Sequence, residues 1–116
     1  MVAKAEAVNG ALRALSDITR RRILVRVRDQ PRAVGEIARH LGMSQQIVSH
    51  HLRVLRSAGL VTETRDRTRH LFVVRTDGLA AVSDFLDEFW PAHLAGLKQA
   101  AEAEAKRQPA RRRKDG

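Results

Sequence analysis

Apolar residues recur along this chain at two spacings, and the changes of spacing lay out its elements. Between residues 4 and 15, Val8, Ala11, Leu12 and Leu15 fall on one helical stripe, which predicts an amphipathic helix. Ser16-Asp17 reads as a cap, and a second helix runs from there to about Arg28, with Ile18, Ile23, Leu24 and Val27 available for burial. Asp29-Gln30-Pro31-Arg32 is a turn, and 33–42 a short helix. From Ser44 to Gly59 the next helix has both ends marked. Ser44 is placed to accept a first-turn backbone N–H, and Gly59 to take the left-handed conformation past the last turn. The period then drops to two: 60–65 and 69–74 read as strands joined by Asp66-Arg67-Thr68. Asp77 caps a last long helix with Leu79, Val82, Phe85, Leu86, Phe89, Trp90, Leu94 and Leu97 on a broad apolar stripe. Pro91 removes one helical hydrogen bond and crowds the preceding turn, which predicts a kink or break near residue 90.

Two short helices joined by a Gly-containing turn at Gly42-Met43, the second with a polar face, make a helix-turn-helix. A hairpin directly after it is a wing. The predicted fold is therefore mainly α with a small β-hairpin (α+β), a winged helix-turn-helix. Its N- and C-terminal helices are expected to form a dimer interface. The aromatic-rich stripe exceeds what a small winged domain needs, and a second copy of the chain is the expected cover, with packing on the first helix of the same chain as the alternative. Residues 1–105 are assigned to this domain and 106–116 to a disordered basic tail, where Arg111-Arg112-Arg113-Lys114 follows Pro109 without periodicity.

The helix over about 44–58 has an apolar seam of Val48, Leu52 and Leu55. Gln46, Ser49, His50 and Arg53 share another face, which holds no carboxylate. Gln bonds adenine edges and Arg guanine edges in the major groove, while Ser serves base or phosphate. A solvated helix face has the same pattern, so the flanking segments carry weight. Arg65, Arg67 and Arg69 alternate across the tip of the wing (61–74), and arginine enters narrow minor grooves well. A charged edge that resists aggregation is the plain alternative. Arg20, Arg21 and Arg22 open the second helix, where cations are slightly unfavourable. Phosphate contact and simple solvation both account for them.

Charge changes the picture. The net charge is +9 and the pI about 11.5, which favours a polyanionic partner. Residues 1–43 carry +5, 44–76 carry +4, 77–105 carry −5 and 106–116 carry +5, so the acidic segment is expected to point away from that partner. There is no Cys, which excludes disulfides, thiolate metal sites and cysteine nucleophiles. No apolar run reaches transmembrane length and no signal-peptide core opens the chain, so a cytoplasmic protein with no membrane partner is expected. An enzyme is not expected: adjacent His50 and His51 diverge by about 100° on a helix and cannot act as one pair, and neither a phosphate loop nor HExxH is present. Single-stranded RNA binding wants exposed aromatics; Tyr is absent and the few aromatics sit in apolar patterns. Asp84, Asp87, Glu88 and His93 are the only candidates for a metal across a dimer. One His with carboxylates is a poor zinc set, so no metal or other cofactor is expected.

Three stretches carry a resemblance: Ala14 to Leu24 (ALSDITRRRIL), Val34 to Ala38 (VGEIA), and Met43 to Val61 (MSQQIVSHHLRVLRSAGLV). Together they resemble the ArsR family of bacterial winged-helix repressors, from about residue 12 to 76. Gly78 to Trp90 further resembles the stand-alone branch without the familiar metal sites. The resemblance implies a homodimer that represses by covering a promoter in double-stranded DNA and often regulates its own operon; two recognition helices in successive major grooves make the expected operator an inverted repeat, and the expected place is the bacterial cytoplasm, at the nucleoid. It implies DNA contacts at Gln45, Gln46, Ser49 and His50; it names no inducer. With the capping Ser44, Arg53 and the wing residues Arg65, Arg67 and Arg69, these make up the candidate DNA-binding set. The candidate dimer set is Leu12, Val82, Phe85, Leu86, Phe89, Trp90 and Leu94. Four departures stand out. Ile18 replaces a common Pro. Ala33 replaces a Ser, Thr or metal-binding Cys. The wing tip has no Gly, which leaves Asp66 as the residue expected to tolerate positive φ. The last helix lacks the paired Asp and His ligands of the zinc-sensing members. A nonspecific basic architectural protein and a winged-helix protein-interaction module are the alternatives. The affinity ratio between operator and random DNA at fixed salt discriminates the first, and a flat shift assay with its own upstream region would favour the second.

Overall fold

Helix ends place the central pair of helices. In α3 (Val34–Leu41), Glu36 accepts a hydrogen bond from the Ala33 backbone N–H at 3.2 Å, while Ala33 has no side-chain acceptor to return. That bond holds the Glu36 carboxyl below its usual range, with the Arg69 guanidinium adding to it. Gly42 stops the helix at φ +65, and its N–H and that of Met43 return to the last turn. Ser44 then caps α4 (Gln45–Ser57), its Oγ accepting the Ile47 N–H at 3.2 Å. Past α4, Gly59 sits at φ +73, the left-handed conformation expected of it.

The structure, a computed structural model, describes residues 2–89 and 92–107, without the side chains of Val2 and of residues 92–98. It divides into two compact units, 1–84 and 85–116. The first begins with α1 (Val2–Leu15) and α2 (Ile18–Asp29), continues through α3 and α4, and closes with the hairpin β1 (Val61–Asp66) and β2 (Arg69–Val74). α5 (Asp77–Asp87) follows, and α6 (Ala92–Arg107) belongs to the second unit. The helix thus ends at Asp87 and a new one starts at Ala92; Pro91, expected to interrupt it, lies outside the described residues. α6 runs through Lys106 and Arg107, the first two residues assigned above to the tail; the run Arg111–Lys114 lies outside the description. Asp77 is a first-turn residue and not the cap: Ala80 N–H donates to the Thr76 carbonyl, and the Asp77 carboxylate takes Arg75 at 2.7 Å.

The core gathers Ile23 and Val27 of α2, Ile37, Ala38 and Leu41 of α3, and Val48, Leu52 and Leu55 of α4. Leu60 and Val61 close it at the base of the wing. α1 adds Val8, Ala11 and Ala14, a stripe rotated from the expected one, so that Leu12 is left 44% exposed. Ile18 stays exposed as well, as the first residue of α2.

The arginines opening α2 have a role that neither sequence account contained. Arg20 donates from Nε to the Ala14 carbonyl at 2.7 Å and from Nη2 to Arg13, and Arg21 donates to the Leu15 carbonyl. They satisfy the orphan carbonyls at the end of α1, where a cation is favoured, and this outweighs their unfavourable place at the start of α2. The Arg20 backbone N–H in turn donates to the capping Asp17 carboxylate and holds it below its usual range. Arg20 also reaches His51 of α4, 3.4 Å from Nδ1, tying α1 and α2 to the helix that follows.

β1 and β2 pair antiparallel from Val61↔Val74 to Asp66↔Arg69. Asp66 is therefore a ladder residue, and the loop is Arg67-Thr68 alone. The positive φ falls on Arg67 (φ 60), not on Asp66 as expected, because a two-residue hairpin puts it inside the loop. Arg32, read as a turn, exchanges both backbone hydrogen bonds with Phe72 and adds one rung to the sheet.

Candidate nucleic-acid interface

The three buried residues of α4 turn its other side outward. Val48 and Leu55 have no exposed surface and Leu52 almost none, so Gln46, His50 and Arg53 stand exposed on the opposite face and Ser49 is half-buried beside them. Gln45, also exposed, lies with its amide over Gly35 of α3, in ordinary contact with where a Cβ would stand. Ser44 spends its oxygen on the cap. The two histidines diverge as their adjacency dictates. His50 points outward; His51 is half-buried, with its Nδ1 3.4 Å from Arg20 Nη1.

Two residues of this face were not in the sequence reading. Ile47, 47% exposed, stands in the first turn of α4. Arg13 of α1 lines an open groove of about 310 Å³ together with His50 and Arg53, extending the basic surface of α4. The Ile47 signal was readable, since it lies off the Val48-Leu52-Leu55 seam. The Arg13 signal was not, since it depends on how α1 crosses α4.

On the wing the three arginines part company. Arg69 donates to Glu36 of α3 at 2.7 Å, which fastens the tip-side strand to the helix-turn-helix. Arg65 donates to His70 Nε2 at 3.3 Å across the ladder, and His70 Nδ1 faces Glu63 at 3.3 Å. Glu63 also lies 3.9 Å from Arg56 of α4. A polar chain thus runs from the last turn of α4 along one face of the wing. Arg67 is exposed at the tip with no hydrogen bond or ion pair among the described residues, Asp66 included.

In the candidate dimer set, Val82 is half-buried, while Phe85, Leu86 and Phe89 are exposed. The Phe85 and Phe89 rings meet edge-on at 5.1 Å. Trp90 lies outside the described residues and Leu94 outside the described side chains. Of the metal candidates, Asp84, Asp87 and Glu88 are exposed and the His93 side chain is not described. Among the described residues no three such side chains gather.

The profile of bacterial regulatory proteins of the arsR family matches residues 17–63. The HTH-type transcriptional regulator Rv2034 of Mycobacterium tuberculosis is 44% identical over 94 residues, spanning 81% of this chain and 88% of that protein. The transcriptional repressor SdpR of Bacillus subtilis is 36% identical over 58 residues, 50% of this chain and 64% of its own. An ArsR-like transcriptional regulator from Rhodococcus sp. RHA1 superposes with a TM-score of 0.70 at 25% identity, over 85% of this chain and 96% of that one. A homodimeric winged helix-turn-helix DNA-binding domain from Mycobacterium bovis, a possible ArsR-family regulator, does so with 0.62 at 31% identity, over 78% and 87%.

Proposed function

This chain belongs to the ArsR family of bacterial transcriptional regulators, and we propose that it is a homodimeric repressor that covers an inverted-repeat operator upstream of its own or a neighbouring operon. α4 lies in the major groove and the wing on the flanking groove. The observation that carries this reading is the outward face of α4: amide, imidazole and guanidinium groups at Gln46, His50 and Arg53, and no carboxylate. The repressor named among the relatives and the homodimeric neighbour support it. The chain to the end of α6 at Arg107 acts as the DNA-binding and dimerisation domain and the basic residues beyond as a tail. The protein works in the cytoplasm, at the nucleoid, with no enzymatic activity, no metal and no cofactor.

Footprinting on the intergenic DNA beside its gene tests the reading. A protected inverted repeat supports it; equal affinity for that DNA and random duplex at one salt concentration makes the protein an architectural binder, and no binding to either makes it a protein-interaction module. Within a footprinted site, Gln46→Ala is expected to weaken operator binding by about 1–3 kcal/mol and to leave random-duplex affinity nearly unchanged. Equal losses on both duplexes would make Gln46 a positioning residue.

The wing gives a two-sided test. A non-glycine residue in the left-handed region costs about 1–2 kcal/mol, and glycine gives back about 0.5–1 in chain entropy. Arg67→Gly is therefore expected to raise folding stability by about 0.5–1 kcal/mol. It should also lower DNA affinity, with a salt dependence shallower by about one phosphate. Thermal unfolding reads the first effect and titrations across salt the second; an unchanged salt slope would leave the wing tip as a solvated edge.

A further inference from the structure

We infer that Ile47 reads the 5-methyl group of a thymine in each operator half-site, an inference that rests on the DNA-binding reading above. A single exposed aliphatic side chain is ordinary on a protein surface. The place of this one is not. Among the described residues it is the only large hydrophobic of the α3–α4 pair that stands exposed, the others being on α1, α2 and the residues 85–89. It stands in the first turn of α4, between Gln46 and the next outward residues, and the first turns of such a helix are the part that reaches base edges.

Helix propensity gives no reason for isoleucine there. At an exposed helical position a β-branched residue is a poorer helix former than the straight-chain alternatives. Contact with a base does give one. The major groove offers one apolar feature to a side chain, the methyl group of thymine. β-Branching confines Ile47 to essentially one χ1 rotamer in a helix, and its backbone N–H is held by Ser44 Oγ at 3.2 Å. The side chain is thus set before DNA arrives, and little rotamer freedom is lost on contact. Gln46 and His50 beside it supply the polar bonds that fix the register.

The test uses the full chain and an operator selected from random duplexes. Each thymine of that operator is replaced in turn by uracil, which deletes the methyl and keeps the pairing. The wild type is expected to lose about fourfold in affinity at one thymine per half-site, the weight of one buried methyl. Ile47→Ala should bind the thymine and uracil operators alike, and Ile47→Val, which keeps the branch, should keep most of the preference. Circular dichroism confirms that both variants fold. Wild-type affinity indifferent to uracil at every position overturns the inference, as does an Ile47→Ala variant that stays as sensitive as the wild type. Both outcomes leave the DNA-binding reading standing. A selection that yields no operator at all overturns that reading and this inference with it.

Discussion

Gly78→Ala is expected to cost the fold about 3 kcal/mol, at the upper end of what forcing a methyl into a packed site costs. A Cβ on Gly78 would stand 2.4 Å from the Ala58 carbonyl oxygen, 3.0 Å from Leu60 Cδ2 and 3.2 Å from the Gly59 carbonyl oxygen. Two of these are backbone atoms at the end of α4 and cannot swing aside. Nor can Gly78 retreat cheaply, because its own N–H donates to the Gly59 carbonyl at 2.9 Å. Gly59 is itself held at φ +73, so the partner strand of backbone is already committed. The contact fixes the start of α5 on the end of α4, and the variant should loosen both. Thermal unfolding followed by circular dichroism should show Tm lower by about 10–20 °C for a domain of this size. A Tm within a degree or two of wild type would mean that the first turn of α5 shifts without loss, and that the close approach is not what sets the packing.

The residues that could be read correctly from sequence are those whose partners lie within a few positions. Ser44 caps a helix three residues from the N–H it binds, Gly59 ends the same helix, and Val48, Leu52 and Leu55 face inward because the period of the helix demands it. The strand 69–74 follows from alternation in the same way, and the other to within one residue, 61–66 where 60–65 is expected. What could not be read depends on distant partners. Arg20 and Arg21 look misplaced at the start of α2 until the end of α1 is brought beside them. Arg69 looks like a wing-tip cation until Glu36, far back in the chain, is found 2.7 Å away. Arg32 gives no strand signal at all, since one rung beside Phe72 is too short to leave a pattern. The positive φ at Arg67 was missed for a different reason. Its place depends on the pairing register, and a shift of one residue moves it from Asp66 to Arg67. The family resemblance was legible because its motifs lie in the locally determined part, from the end of α1 to the start of β1.

Phe89→Ala is expected to break the dimer while leaving the single chain folded. Val82, Phe85, Leu86 and Phe89 recur at helical spacing along α5 and the turn that follows it, where Glu88 and Phe89 donate back to Phe85 and Leu86. Phe85 is 36% exposed, Leu86 45% and Phe89 59%, a run of apolar surface among the described residues. Aromatic clusters of this kind are what interfaces bury at their centre. The acidic groups of the same segment, Asp84, Asp87 and Glu88, are exposed as well; on the dyad side of a dimer they stay clear of phosphate. Two copies joined there would set their α4 helices in successive major grooves about one helical turn apart, which requires the inverted repeat. If the Phe89 ring is fully buried between chains, its loss costs about 3–5 kcal/mol, or roughly a hundredfold to several thousandfold in the dimer dissociation constant. The effect should therefore depend on protein concentration, and unfolding of the monomeric form should not move with it. Sedimentation at micromolar concentration checks both: the wild type should run as a dimer and the variant as a monomer of unchanged circular dichroism. A wild type that is monomeric at that concentration and still binds its operator tightly would remove the dimer and the palindrome together.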